Sequence, residues 1–141
     1  KWDGKGETMG KAETELKERY VLNKFTEYPY HQWMLEEIQK ELTEINRELS
    51  ENQYTDVTPW KKELIYRETE LIKELNIHIQ QMNQVEQWLK QLGENQQNIM
   101  RIYAIEHGCK NGCYCARATN NTESNVYKTA KRVIRKIAMS L

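Results

Sequence analysis

Leu35, Ile38, Leu42, Ile45 and Leu49 recur at intervals of three and four, with charged residues filling the positions between them. That spacing is the period of an α-helix with one apolar stripe, and it predicts a helix opening near Pro29. Upstream, Leu16, Tyr20, Leu22 and Phe25 keep a rougher helical spacing over residues 11–27. Proline disfavours helical backbone in the residue before it, so Pro29 predicts a boundary between these two stretches. Downstream, Trp60, Leu64, Arg67, Leu71, Leu75, His78, Met82, Val85, Leu89 and Leu92 continue the same stepping. Thr58-Pro59 supplies its start, a hydroxyl able to cap and a proline suited to the first helical position. Gly93 supplies its stop. The polar stretch 50–57, with turn-forming Asn52 and Asp56, reads as the connector.

These stretches predict a long helical hairpin over residues 11–92. At 1.5 Å per residue the later helix extends roughly 50 Å and the earlier one about 33 Å, so part of the long seam needs another cover. The first helix, the C-terminal segment or a second copy of the chain could supply it. Arg67 and His78 fall on the seam itself; they read as polarity near a wet edge, or as register-setting residues of a dimer. Trp33, Trp60 and Trp88 read as seam anchors.

After Gly93 the pattern shortens. Ile99, Ile102, Tyr103 and Ile105 predict a short helix closing at His107-Gly108, and a second short helix fits 112–120. A third runs from Asn121 or Thr122 to Leu141, with Val126, Ala130, Val133, Ile137 and Leu141 on one face and Ile134 beside it. Two short helices followed by a longer one is the helix-turn-helix arrangement. With Val126 at the buried site of the last helix, Ala116 falls where the helices touch and Cys115 packs beside it. The turn falls at Asn120-Asn121, since Asn tolerates left-handed backbone. Thr119 and Asn121 occupy two positions that such motifs usually fill with apolar residues. The predicted fold class is all-α: residues 1–10 a disordered arm or a remnant of expression with Met9 as a start, 11–92 the helical hairpin, and 93–141 the helix-turn-helix domain.

Charge changes the picture. The chain is formally neutral, yet residues 100–141 hold eight Lys and Arg against two acids, leaving thirteen cations and nineteen acids before them. Five of the eight, Lys128, Lys131, Arg132, Arg135 and Lys136, lie on the last helix. Cations clustered along one helix are the electrostatic footprint of a polyanion-binding element.

Composition adds exclusions. Apolar residues make up 38% and charged residues 30%, which suits long helices with thin seams more than a thick core. No apolar run reaches the length of a membrane span and no signal-peptide pattern is present, so a cytoplasmic location and no membrane partner are expected. His107, Cys109, Cys113 and Cys115 are four zinc-competent side chains within nine residues. Their H-x-C-x₃-C-x-C spacing is not that of paired zinc knuckles, and on a helix Cys113 and Cys115 stand about 200° apart. The expectation is therefore no metal or cofactor, with Cys115 a small core residue and the other two free thiols; a structural zinc and a redox-sensing thiol are the alternatives. The three histidines lie on different elements, and neither a phosphate loop nor a nucleophile elbow occurs. Catalysis is not expected.

Two stretches carry a family resemblance. Thr122-Glu123-Ser124-Asn125-Val126-Tyr127 ahead of a basic helix, preceded by residues 92–103 (LGENQQNIMRIY), resembles region 4 of bacterial sigma factors. Residues 25–42, FTEYPYHQWMLEEIQKEL, resemble the tyrosine-proline segment of phage transcriptional regulators of the RinA/ArpU type. The resemblance covers roughly residues 14–141; the Gly108–Cys115 stretch departs from the pattern. It implies a small activator of late phage genes in a bacterial host, binding promoter DNA; the hairpin of residues 29–92 would then orient the reading helix, and bring two copies together or touch RNA polymerase. On this reading Lys128, Lys131, Arg132 and Arg135 neutralise phosphates. Thr122, Glu123, Ser124, Asn125 and Lys128 begin the reading helix, with Asn125 suited to adenine and Lys128 to guanine. Tyr127 contacts sugar or phosphate, or packs. A homodimer through the long helices is a further expected partner. The rival reading is a helical protein-interaction module without specific DNA binding.

Overall fold

The computed structural model describes residues 3–51 and 58–141, with side chains from Gly10 to Glu51 and from Pro59 onward. Among the described residues every regular element is helical, so the chain is all-α. Helix α1 spans Asp3–Glu51 and α2 Thr58–Lys90. A short α3, Glu94–Ile99, runs into a π-helical stretch, Met100–Glu106. Helices α4, Gly112–Thr119, and α5, Glu123–Met139, complete the chain.

Helix α1 departs from the expectation in three ways. Pro29 lies inside it rather than at its start. A proline there removes one backbone donor, leaving the Phe25 carbonyl without its usual partner; Phe25 and Tyr28 are buried just before it and Ile38 after it, and this packing outweighs the lost bond. The proline does mark a boundary of another kind, because the chain divides into two compact units at Pro29 and Tyr30. Second, the backbone from Asp3 to Gly10 is helical where a disordered arm is expected from its composition. Extending an existing helix fixes one residue per hydrogen bond, whereas nucleating one fixes several. Third, Leu16 and Tyr20 face solvent, and the buried row is Val21, Phe25 and Tyr28. Of the expected connector, Ser50 and Glu51 belong to α1, and residues 52–57 lie outside the described part.

One unit comprises residues 30–83. Its buried centre is Ile38, Ile45 and Leu71, with Met34, Leu42, Leu49, Leu64 and Leu75 packed around them. His31 meets His78, Nδ1 to Nδ1 at 2.7 Å, and Arg67 Nε donates to Glu41 at 2.8 Å. Partners later in α1 are earlier in α2, so the two stretches run antiparallel. Arg67 is exposed at the rim of the seam, and Trp33 is exposed rather than an anchor.

The other unit joins residues up to 29 with 84–141. Phe25 packs against Trp88 with ring centroids 5.9 Å apart. Val85, Leu89, Leu92, Ile99, Met100, Ala104 and Ile105 are buried in this unit. The π-helical stretch explains how the last four share an interior: Ile99 and Ala104, like Met100 and Ile105, are five residues apart. Five residues make about one turn only when the hydrogen bonds run from i to i−5, as from His107 N to Ile102 O at 3.2 Å. Beside this core Glu86 accepts from Tyr28 Oη at 2.5 Å and from Arg101 Nη2 at 2.9 Å. The Arg101 hydrogen bond holds the Glu86 carboxyl below its usual range. Burial first, and the Glu86 carboxylate second, push the Tyr28 phenol up to about 12. Gly93 is extended and precedes α3; it does not end α2 with a left-handed turn.

Candidate nucleic-acid interface

Helices α4 and α5 meet across a turn of three residues, and its geometry follows from their side chains. Asn120 adopts the left-handed conformation, φ 58 and ψ 46, at the end of α4. Asn121 N then donates to Ala116 O at 2.8 Å and Asn120 N to Arg117 O at 3.3 Å, the paired closure that satisfies the last carbonyls of a helix. Thr122 caps α5, its Oγ1 accepting from Asn125 N at 3.0 Å. Beneath the turn, Val126 and Cys115 are fully buried and cluster with Ala116 and Ile99, with Ile102 and Tyr103 packed against them. The spacing of residues over 115–126 places Val126, Ala116 and Cys115 as expected.

Thr119 and Asn121, whose polarity spoke against the motif, are hydrogen-bonded to one another and to their neighbours at this turn. Asn121 Nδ2 lies 2.8 Å from Thr119 Oγ1, 3.0 Å from Thr119 O and 3.0 Å from Asn95 Oδ1. Its Oδ1 accepts from Asn125 Nδ2 at 2.7 Å. Amide hydrogen bonds thus tie α3, the turn and α5 where other chains use apolar contact. Asn125 is accordingly half-buried, with one amide hydrogen already engaged.

Helix α5 is unbroken, and its two faces differ sharply. Val126, Thr129, Ala130, Val133, Ile137 and Ala138 are buried. Leu141, expected on that face, lies beyond the helix and is exposed. Thr122, Glu123, Ser124, Tyr127, Lys128, Lys131, Arg132 and Arg135 are exposed. Lys128, Lys131, Arg132 and Arg135 line one shallow depression, so the four cations share a surface. Arg135 Nε donates to Glu18 of α1 at 3.1 Å, so this cation already has a carboxylate partner.

At the tip, the Glu123 carboxylate accepts from Tyr127 Oη at 2.6 Å and from Cys113 Sγ at 3.0 Å. The Tyr127 bond, followed by that from Cys113, lowers the Glu123 carboxyl. The same carboxylate pushes the Tyr127 phenol up to about 12 and raises the Cys113 thiol. Tyr127 stacks edge-on against Tyr103 at 5.8 Å. Its ring occupies the place a side chain on Gly112 would need: an added Cβ would lie 2.6 Å from it. The four-residue spacing of Glu123 and Tyr127 on a helix is the one signal in the sequence that could have revealed this pairing.

Cys113 is exposed and Cys115 buried, the opposed placement expected of residues two apart on a helix. Cys109 is half-buried with a left-handed backbone, φ 64, and the His107 ring lies 5.1 Å from that of Tyr114. Among the described residues no three His, Cys, Asp or Glu side chains converge on a point that could hold a metal. No described helix is long and apolar enough to cross a membrane. No known family model, curated protein or solved structure matches the chain.

Proposed function

We propose that α4 and α5 form a helix-turn-helix that binds double-stranded DNA, and that the protein is a sequence-specific transcriptional regulator. One observation carries the reading. A single uninterrupted helix, capped by Thr122, buries Val126 on the helix before it and exposes Ser124, Lys128, Lys131 and Arg132 on the other side. Lys131 and Arg132 would neutralise phosphates, and Arg135 would do so after leaving Glu18. Glu123, Ser124 and Lys128, at the amino end, would meet base edges: a fixed carboxylate suits the amino group of cytosine, and Lys suits guanine. Asn125 keeps its oxygen for such a contact, while its bond to Asn121 takes one amide hydrogen from the bidentate adenine pattern. The resemblance to RinA/ArpU-type regulators extends the proposal to activation of late phage genes, with RNA polymerase as a second partner.

Binding of the full chain to duplex fragments, followed by fluorescence anisotropy over a salt series, tests this. The double variant Lys131→Ala/Arg132→Ala should weaken binding to all sequences and flatten the logarithmic salt slope by about 2. Lys128→Ala should mainly reduce discrimination among sequences. No affinity for any duplex at low salt would leave the alternative, a helical protein-interaction module. That alternative has its own observation in the exposed Trp33, Ile65 and Tyr66.

A further inference from the structure

Helix α2 carries two apolar rows, and α1 covers only one. Leu64, Leu71 and Leu75 pack with Ile38 and Ile45 of α1. Each is followed or accompanied by a residue of a second row, rotated by about 100° because one residue advances a helix by that angle. That row is Ile65, Thr69, Ile72, Asn76, Ile79 and Asn83, stepping by four and three throughout. Ile65 is 52% and Ile72 44% exposed, Thr69, Asn76 and Asn83 are exposed, and Ile79 is half-buried. A strict seven-residue repeat of isoleucine alternating with small polar residues is the pattern of a coiled-coil seam.

We infer that this row is the contact for a second copy of the same chain, with the two α2 helices parallel and in register. Three features select that occupant. With the isoleucines at one seam position, Thr69, Asn76 and Asn83 occupy the other, and the in-register pairing is the one that sets each asparagine against its own copy. Glu68 precedes the polar row and Lys73 follows Ile72, so in a parallel pair Glu68 of each copy faces Lys73 of the other across the seam. An antiparallel pair makes no such contact. Among the described residues Lys73, itself exposed, pairs with the half-buried Glu70 at 3.6 Å, a pairing it can exchange at small cost. Half of the seam is polar, so association is reversible and depends on concentration. Nothing in this inference requires that the protein bind DNA.

Sedimentation velocity of the full chain over about a hundredfold range of concentration should show one chain passing to two. Ile72→Glu should raise the dissociation constant at least about tenfold while far-ultraviolet circular dichroism keeps its helical signal. Glu68→Lys should weaken the pair several-fold, and Glu68→Lys/Lys73→Glu should restore it. Thr69→Cys should give an oxidised dimer joined at 69–69, absent from the wild-type chain. A monomer at every concentration overturns the inference. So does a dimer indifferent to Ile72→Glu, a charge exchange that fails to restore association, or cross-linking only between positions 69 and 83 in a mixture of the two cysteine variants.

Discussion

Residues 84–141, with the first part of α1, close their apolar surface on several sides at once. Val126, Cys115, Ile99 and Met100 are all fully buried there. Residues 30–83 have one helix to set against another. Among their described residues Ile38, Ile45 and Leu71 are buried, while Tyr30, Trp33, Ile65, Tyr66, Ile72 and Ile77 are exposed. The difference is geometric. A helix with a single neighbour can cover one stripe, whereas short helices crossing at a turn cover one another from several directions. A helix pair leaves whole apolar rows on its bare faces; the region of crossing helices exposes single apolar side chains such as Leu16, Tyr20 and Met139 beside a row of cations on α5.

Val126→Asp should be the most damaging change. A carboxylate at a fully buried site with no partner costs upwards of about 4 kcal/mol. Hydrogen exchange read by mass spectrometry should show protection lost over 94–139 and kept over 60–80; equal loss in both would abolish the contrast between the units. Next comes a pair of neighbours on α2. Leu71→Ala should cost about 2–4 kcal/mol in urea unfolding of dilute protein, and Ile72→Ala less than about 0.5. Similar costs would mean that both rows are buried.

Arg101→Ala tests how the unit of residues 84–141 and early α1 carries a partly buried charge. Its loss should cost about 1 kcal/mol near neutral pH, after allowance for the solvent exposure of both partners. The sign of the pH dependence follows from Glu86, whose carboxyl is held low chiefly by the Arg101 hydrogen bond. That stabilisation is present above the unfolded pKa, about 4.3, and disappears as pH falls through the lower folded value. Wild type and variant should therefore converge in stability in acid; a gap that persists there would point to packing by the arginine stem. A small effect is also expected of Glu18→Gln. Freed of this carboxylate, Arg135 should raise affinity for duplex DNA by about twofold to fivefold. No change would place Arg135 outside the contact.

The seam of residues 30–83 was legible because three–four stepping depends only on which side of a helix is dry. The turn between α4 and α5 was legible for a related reason: once Val126 is buried, the spacing to Ala116 and Cys115 is fixed by helix geometry, and Asn120 suits the left-handed link. The first part of α1 was not. Leu16 and Tyr20 have the same helical spacing as Val21, Phe25 and Tyr28, and the choice between rows is made by the shape of what packs on them, Trp88 among others. Pro29 misled because a backbone preference of a few kcal/mol yields to burial on both sides. The amide links of Thr119, Asn121 and Asn125 were hidden because they join residues whose polarity, read one at a time, argues for solvent.

The three cysteines grade the opening of the C-terminal region on a scale of chemical accessibility. Cys113 is exposed, Cys109 half-buried and Cys115 fully buried, and all three thiols are held above their ordinary range, by Glu123 in the first case and by burial in the others. A thiol reagent should therefore consume them in that order, and its final, slowest phase clocks the lifting of α4 away from Ile99. The molecule thus carries its own reporter for how often that interface breathes, with no label introduced.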